Sequence, residues 1–460
     1  MTNGYELALP GLTYDALLAH LLAHDGNEGA AILLCRDAAP VRSRLMVVEA
    51  ILVPHDACAI RRPDYISWPG ELLSAAIDRA EDDGLSIILL HSHPGGFPCF
   101  SRTDDVSDRT TIGSIFEGWS GSAPAAGHGS AIMIAPGIIR ARLYQPDLQP
   151  RDVARVIVAG DDIRIWDDGG TPTSAMAFGS DMTRTLSTLH ACVIGVSGTG
   201  SIIAEQAARM GFGALTLIDF DHVEAKNLNR ILYSTTDDAA RAAPKVEMFA
   251  AALARVRPTL QVTQICENIF QRDAAIAAAQ ADVLFSCVDS SEGRQIADLI
   301  AQAFMIPLID MGVTIPTRRL VDGTLAIIEV MGRIDYVQPG GSTLGDRAVY
   351  TPASLRAEYL ARTDPERFAA EQREGYIKGA PEEAPSVIAL NMRAASAAML
   401  ECVARLFPFR HDGNSRYART LFALADGDEE AFSEAAFERA PNPLLGRGAL
   451  EPLLGLPALG

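Results

Sequence analysis

The sequence predicts an α/β protein of two domains, and three observations carry that expectation. At 460 residues, with 48% apolar and 21% charged residues, the chain has globular composition and room for two cores of ordinary size. Short apolar runs of strand length alternate with helix-length stretches, the mark of a sheet flanked by helices. Two polar breaks, Gln145-Pro-Asp-Leu-Gln-Pro150 and Asp167-Asp-Gly-Gly-Thr-Pro172, interrupt the alternation. They divide the chain into residues 1–145, a linker over 146–174, a larger domain over 175–425 and a tail over 426–460.

In the first domain, Tyr14–His24 and Glu71–Asp82 read as helices, and Leu45-Met-Val-Val-Glu-Ala-Ile-Leu-Val53 and Leu85-Ser-Ile-Ile-Leu-Leu90 read as strands. The second strand runs directly into His91-Ser-His-Pro-Gly-Gly-Phe-Pro-Cys-Phe-Ser-Arg-Thr-Asp104. His91 and His93 leave its end on one side at period two, and Asp104 follows a Gly/Pro-rich loop that can fold back toward them. Two imidazoles and a carboxylate are the three protein ligands of a catalytic zinc site, which leaves one position open for water.

The spacing His-x-His, seven residues, Ser, two residues, Asp resembles that of the JAMM metalloproteases without a gap. The resemblance implies an α/β metalloprotease domain with His91, His93 and Asp104 on zinc. It also implies a glutamate on an earlier strand as general base, for which Glu49 is the natural match. Ser101 would help hold the tetrahedral oxyanion. Cys99, inside the same loop, is expected to line it.

Within the linker, Arg155-Val-Ile-Val158 and Ile163-Arg-Ile-Trp166 read as a hairpin about Gly160-Asp-Asp162. Beyond it, Cys192-Val-Ile-Gly-Val-Ser-Gly-Thr-Gly-Ser201 is an apolar strand, a glycine-rich turn and the start of a helix. Gly195, Gly198 and Gly200 let backbone amides approach a polyphosphate. The next strand, Leu215-Thr-Leu-Ile218, ends in Asp219, where a ribose-binding acid belongs.

That much fits any dinucleotide fold. The run Asp219-Phe-Asp-His-Val-Glu-Ala-Lys-Asn-Leu-Asn-Arg230, then Pro244-Lys245, then Cys287-Val-Asp289 after another strand, narrows it. Together they resemble the ThiF/MoeB adenylyltransferases, whose Rossmann-like fold is shared with ubiquitin-activating enzymes. The resemblance runs over roughly residues 175–405 and includes Ile309-Asp-Met-Gly-Val313 and the late helix at Pro385-Ser-Val-Ile-Ala-Leu-Asn391. It implies ATP and Mg²⁺, with Asp219 on the ribose, Asn227, Arg230 and Lys245 on the phosphates, and Asp289 holding Mg²⁺. Asp221 would help position metal or nucleotide. Cations suit the chemistry, because a carboxylate attacking the α-phosphate builds charge there and on the departing pyrophosphate.

Three features depart from that family. Ser197 stands where the loop usually has a second glycine. No cysteine lies between Cys287 and Cys402, so neither the Cys-x-x-Cys zinc pair nor the thioester cysteine of the relatives is present. The acyl-adenylate would then pass directly to another protein or thiol, or to a hydroxyl such as Ser342. No basic residue lies between Thr171 and Met176, and Arg184 is the nearest candidate for the arginine that relatives extend toward ATP.

Composition excludes other classes. Seven scattered cysteines form no disulfide framework. No apolar run is long enough for a membrane span, and no basic region followed by an apolar core opens the chain, so a cytoplasmic protein is expected. A net charge of −19 disfavours nucleic acid. The expected activity is processing and activation of one ubiquitin-like protein in a bacterial conjugation pathway. A zinc (iso)peptidase would trim or release it, and the second domain would adenylate its C-terminal carboxylate. Processing and activation of a sulfur-carrier protein is the alternative. A scaffold with an inactive adenylation site is a third reading, from another class. A conjugating-enzyme-like acceptor and a homodimer complete the expected partners.

Overall fold

The computed structural model describes residues 4–167, 176–373 and 387–460. Most of the break at 167–172, the stretch leading to Met176, and Pro385-Ser386 of the late segment lie outside the described residues. The chain forms two compact units: Met1–Ser174 with Gln302–Met305 and Pro443–Gly455, and Ala175–Ala301 with Ile306–Asn442 and Leu456–Gly460. Among the described residues, no helix is long and apolar enough to cross a membrane.

The first unit runs β1 (Glu6–Pro10), α1 (Gly11–Leu21), β2 (Ala30–Asp37), β3 (Arg44–Leu52), a small hairpin β4 (Ile60–Arg62) and β5 (Tyr65–Ser67), and α2 (Gly70–Asp83). It continues through β6 (Ser86–His93), α3 (Arg102–Gly118), β7 (His128–Ile134), β8 (Ile138–Tyr144), β9 (Arg151–Asp152), β10 (Arg155–Ala159) and β11 (Ile163–Asp167). Nine strands form one sheet in the order β11-β10-β1-β3-β2-β6-β7-β8-β9. Because side chains alternate along a strand, β6 sends Ile88 and Leu90 into the core under α1, with Tyr14, Leu17 and Leu21. Its Ile87 joins Ala76 and Ala80 of α2 and Ile112 and Ile115 of α3 on the other face. His91 and His93, at the same parity as Ile87, therefore emerge on the α2/α3 face.

The hairpin over 155–167 forms where the sequence predicts, but it belongs to this sheet and not to a separate linker. β10 pairs in parallel with β1 and is buried along its length. Val156 and Val158 enter the core, and buried Arg155 is paired with buried Glu6.

The second unit contains α4 (Ser180–Leu186), β12 (His190–Ile194), α5 (Gly198–Met210), β13 (Ala214–Ile218), α6 (Thr236–Ala240), α7 (Lys245–Val256), β14 (Gln261–Ile265), α8 (Arg272–Ala279), β15 (Val283–Ser286) and α9 (Ser291–Ala303). After β16 (Leu308–Thr314) come a hairpin, β17 (Thr317–Arg319) and β18 (Leu325–Ile327), then β19 (Met331–Val337), α10 (Pro352–Thr363), α11 (Pro365–Arg373), α12 (Ile388–Leu406), β20 (Arg419–Ala423) and β21 (Asp428–Phe432). Eight strands take the order β14-β13-β12-β15-β16-β19-β20-β21. The first five are parallel and the last three extend them antiparallel. The chain leaves β12 toward β13 on one side and returns to β15 on the other. That reversal opens a crevice at the carboxyl ends of the strands, where such sheets bind ligands.

Candidate functional site

The first candidate site lies where β6 ends. His91 Nε2 and His93 Nε2 are 3.2 Å apart. Asp104 supplies Oδ1 at 3.3 Å from His91 Nε2 and Oδ2 at 3.5 Å from His93 Nε2. Ligands at zinc distances of 2.0–2.1 Å in tetrahedral geometry lie about 3.3–3.4 Å apart along each edge. The His91–His93 edge and each histidine's distance to the nearer Asp104 oxygen are close to that edge length, although the two histidines meet different oxygens of the carboxylate, and Glu28 with His91 and His93 also offers three converging ligand atoms, so this donor set suits a zinc ion.

Two local devices hold this cluster. His93 Nδ1 is 2.9 Å from the Phe97 carbonyl, a contact that places the proton on Nδ1 and leaves Nε2 as a ligand atom. Ser101 is the N-cap of α3, and Asp104 is the third residue of the helix. The Ser101 Oγ accepts the Asp104 N–H at 3.2 Å, while the Ser101 N–H donates to Asp104 Oδ2. The Ser-x-x-Asp spacing is thus also a reciprocal capping box, which aims the carboxylate back at the imidazoles. Burial would raise the Asp104 carboxyl, but hydrogen bonds from His91 and His93 outweigh it and hold it well below the usual carboxylate range.

Glu49 is not brought to this cluster. It pairs across β3 with Leu34, and Leu34 pairs with Ile87. Glu49 is therefore level with a residue four positions before His91, about 13 Å away along the strand direction. Its carboxylate instead meets Arg79 of α2 at 2.8 Å. The acid beside the imidazoles is Glu28, whose ligand atom lies within 4.8 Å of those of His91 and His93. Glu28 is 6% exposed, and burial raises its carboxyl above the ordinary value against the pull of His91 and His93. Ser92, the residue between the histidines, holds it in place. The Ser92 Oγ accepts the Gly29 N–H at 2.8 Å and donates to the Leu21 carbonyl at 2.6 Å.

The second candidate site occupies the crevice of the eight-stranded sheet. Gly195 follows β12 with φ +88°, and a Cβ there would lie 2.9 Å from the Cys287 carbonyl oxygen. A Cβ at Gly200 would strike the Gly195 carbonyl oxygen. Both positions require glycine for the loop to close. Asp219, at the end of β13, accepts the Val196 N–H at 2.7 Å and the Asp221 N–H at 2.9 Å, so it also shapes the loop. Burial raises its carboxyl, opposed by the nearby Lys245 ammonium.

Lys245 begins α7, and its buried Nζ lies 2.8 Å from Asp221 and 3.9 Å from Asp219. Arg230 donates to the Lys226 carbonyl at 3.0 Å, and its Cδ would lie 3.4 Å from a Cβ on Gly198. Asn227 is buried and accepts the Glu224 N–H through Oδ1 at 3.0 Å. Asp289, exposed, lies beyond the end of β15. Asn391 of α12 was not predicted as a site residue, yet its Nδ2 would lie 2.2 Å from a Gly198 Cβ. Its place in the late segment gave the only hint. Arg184 lies on the exposed surface of α4, paired with Asp181.

Of the two routes open to the acyl group, the geometry disfavours a Ser342 oxyester. Ser342 is fully buried, its Oγ accepts Arg347 Nε at 2.8 Å, and its N–H is bonded to Glu434. Those contacts hold a turn and leave no hydroxyl presented to an incoming acyl group.

The sequence model of the ThiF family matches residues 173–419, more than half of the chain. The chain belongs to the ThiF family. Ahead of the ThiF region, a model described as prokaryotic homologs of the JAB domain matches residues 12–143, so this ThiF chain is a JAB–ThiF fusion. Over 159 residues it is 29% identical to ubiquitin-like modifier-activating enzyme 5 of Caenorhabditis briggsae, covering 32% of this chain and 33% of that one. Over 145 residues it is 30% identical to tRNA threonylcarbamoyladenosine dehydratase of Escherichia coli (strain K12), covering 31% of this chain and 52% of that one. The ThiF chain thus spans about a third and about half of the length of these two relatives. Among solved structures, Escherichia coli MccB with MccA-N7isoASN aligns with a TM-score of 0.44 at 15% identity, covering 58% of this chain and 69% of that one.

Proposed function

We propose that the protein processes and activates one ubiquitin-like protein: its first unit cleaves a peptide or isopeptide bond at that protein's tail, and its second adenylates the exposed carboxylate. The observation that carries the reading is the cluster of His91, His93 and Asp104 beside Glu28 in a chain that also holds a ThiF domain. A bound zinc supplies Lewis acidity toward a carbonyl and toward water. Glu28 takes the proton of the attacking water and returns it to the leaving amine. Ser101 accepts the Asp104 N–H and keeps its own O–H to donate to the oxyanion.

In the second unit, the Gly195–Gly200 loop and the start of α5 receive the ATP phosphates, with Mg²⁺ held at Asp289 and Asp219 on the ribose. Lys245 and Arg230 offset the charge on the departing pyrophosphate, with Asn227 seated beside them. With Ser342 buried, the acyl group leaves for a separate acceptor, such as a conjugating-enzyme-like protein. A homodimer and a cytoplasmic location are part of the same proposal. Covalent linkage raises the effective concentration of the trimmed tail near ATP.

The test is the mass of a tail-extended ubiquitin-like protein after incubation with enzyme, zinc, ATP and Mg²⁺, with ATP/pyrophosphate exchange measured in parallel. Trimming followed by exchange is expected, with exchange lost in Lys245→Met. Absence of exchange with a carrier that binds would sink the adenylation half. Exchange with a sulfur-carrier protein but not with ubiquitin-like modifiers would favour the sulfur-transfer route.

A further inference from the structure

Glu49, away from the His91–His93 cluster, belongs to a different cavity of the first unit. Its volume is about 260 Å³, and its walls carry Arg36, Arg79 and Arg447 together with Glu49 and Asp83. Three guanidiniums against two carboxylates make this a locally positive pocket in a chain of net charge −19. Val48, Leu85 and Leu445 supply apolar wall between the charges.

The wall around Arg447 is built and not incidental. Gly446 and Gly448 both hold positive φ, +66° and +59°, and a Cβ on either would lie within 3 Å of a β3 side chain: 2.6 Å from Val48 Cγ1 for Gly446 and 2.9 Å from Met46 Cε for Gly448. Their amides donate to the Gln302 and Ala303 carbonyls at 3.0 and 2.8 Å. Arg447 Nη2 donates to the Glu451 carbonyl at 3.0 Å, while its buried Nε has no partner among the described residues. Arg36 Nη1 donates to the Asp83 carbonyl over 3.4 Å. Burial lowers the Arg36 guanidinium, with the Asp83 carboxylate opposing the shift and the neighbouring Arg447 adding to it. With Asp83 beside Arg36 and Glu49 bound to Arg79, Arg447 is the guanidinium of the cavity with no carboxylate of its own among the described residues, and its buried Nε is unpaired. Arginine pairs preferentially with carboxylate and phosphate through its planar fork.

We infer that this cavity is a binding site for a small oxyanion carrying a short apolar group, the phosphate or carboxylate held between Arg36 and Arg447 and the apolar group lying against Val48, Leu85 and Leu445. Glu49 competes for Arg79 at its edge. The cavity falls below the roughly 300–1,000 Å³ of drug-sized sites, which suits a small metabolite over a polymer. The inference does not rest on the proposed cleavage or adenylation.

Calorimetric titration of the full chain with phenyl phosphate, benzoate and inorganic phosphate tests it. Saturable binding of phenyl phosphate or benzoate is expected, and the tighter of the two identifies the headgroup. Inorganic phosphate, without an apolar group, should bind several-fold more weakly. Arg447→Met and Arg36→Met should each weaken binding at least about tenfold. Glu49→Gln, which releases Arg79, should tighten it several-fold and needs no buried group removed. The inference is overturned if neither organic anion saturates the wild type, or if affinity is unchanged in folded Arg447→Met. Unchanged or weaker binding in Glu49→Gln overturns it as well.

Discussion

Replacing Glu28 by glutamine should reduce tail cleavage by roughly 10²–10⁴-fold, the range of a positioned general base. That corresponds to about 3–5 kcal/mol of barrier. The magnitude follows from where the carboxylate lies: within 4.8 Å of both imidazole ligand atoms and 6% exposed. Burial raises its carboxyl, the direction that strengthens a base working near neutrality. Glutamine keeps the shape, and the hydrogen bond that seats the residue runs from the neighbouring Gly29 N–H to the Ser92 hydroxyl without using the Glu28 side chain. Zinc content should therefore be retained. Glu49→Gln is the matched control. Its partner Arg79 is 61% exposed, and such pairs contribute about 0.2–1 kcal/mol to stability, so its cleavage rate should stay near wild type. The assay follows the mass of a tail-extended carrier over time with zinc-loaded protein, beside metal analysis of each variant. A Glu28→Gln rate within about threefold of wild type, with Glu49→Gln inactive, would refute the assignment.

Ser101→Ala should cost roughly 1 kcal/mol of stability through loss of the N-cap, read as a lower urea midpoint. The same variant should lower kcat about 10²–10³-fold through loss of an oxyanion donor, and Ser101→Thr should recover most of the stability. His128 is buried, accepts the Ile87 N–H at 3.1 Å, and is pushed down to about 4 by burial. Because the unfolded chain takes up a proton at this residue that the folded chain does not, its contribution is fully present above the ordinary imidazole value. It is lost as pH falls from about 6.5 to about 4, at up to about 1.4 kcal/mol per pH unit. Urea unfolding of the first unit across that window should show the slope, and His128→Phe should flatten it.

The cluster at the end of β6 was legible because its residues are local. His91, His93, Ser101 and Asp104 lie within fourteen residues, and strand period and helix capping fix their directions. The glycine loop and Asp219 were legible for the same reason. Glu28 was not, because it precedes β2 in a polar Asp-Gly-Asn-Glu-Gly stretch with no periodicity, and only the pairing of Ala30 with His91 carries it to the site. Glu49 had the better local context, a carboxylate on an apolar strand. Its position was decided by register across β2, which includes a shift between Leu34 and Cys35. The parallel pairing of β10 with β1 joins residues 149 positions apart, Glu6 and Arg155, beyond what the spacing of a hairpin can signal. The burial of Ser342 was not legible, because a glycine-rich turn reads as exposed, while Arg347 and Glu434 bind this one from within.

The reciprocal bonds between Ser101 and Asp104 also bear on how such a domain can lose its chemistry. An asparagine at 104 would still accept the Ser101 N–H through its amide oxygen, so α3 would start in the same place and the fold would survive. The proposed cleavage could then be lost by exchanging Oδ1, the atom 3.3 Å from His91 Nε2, for an amide nitrogen, with little folding penalty and no trace in a comparison of backbones.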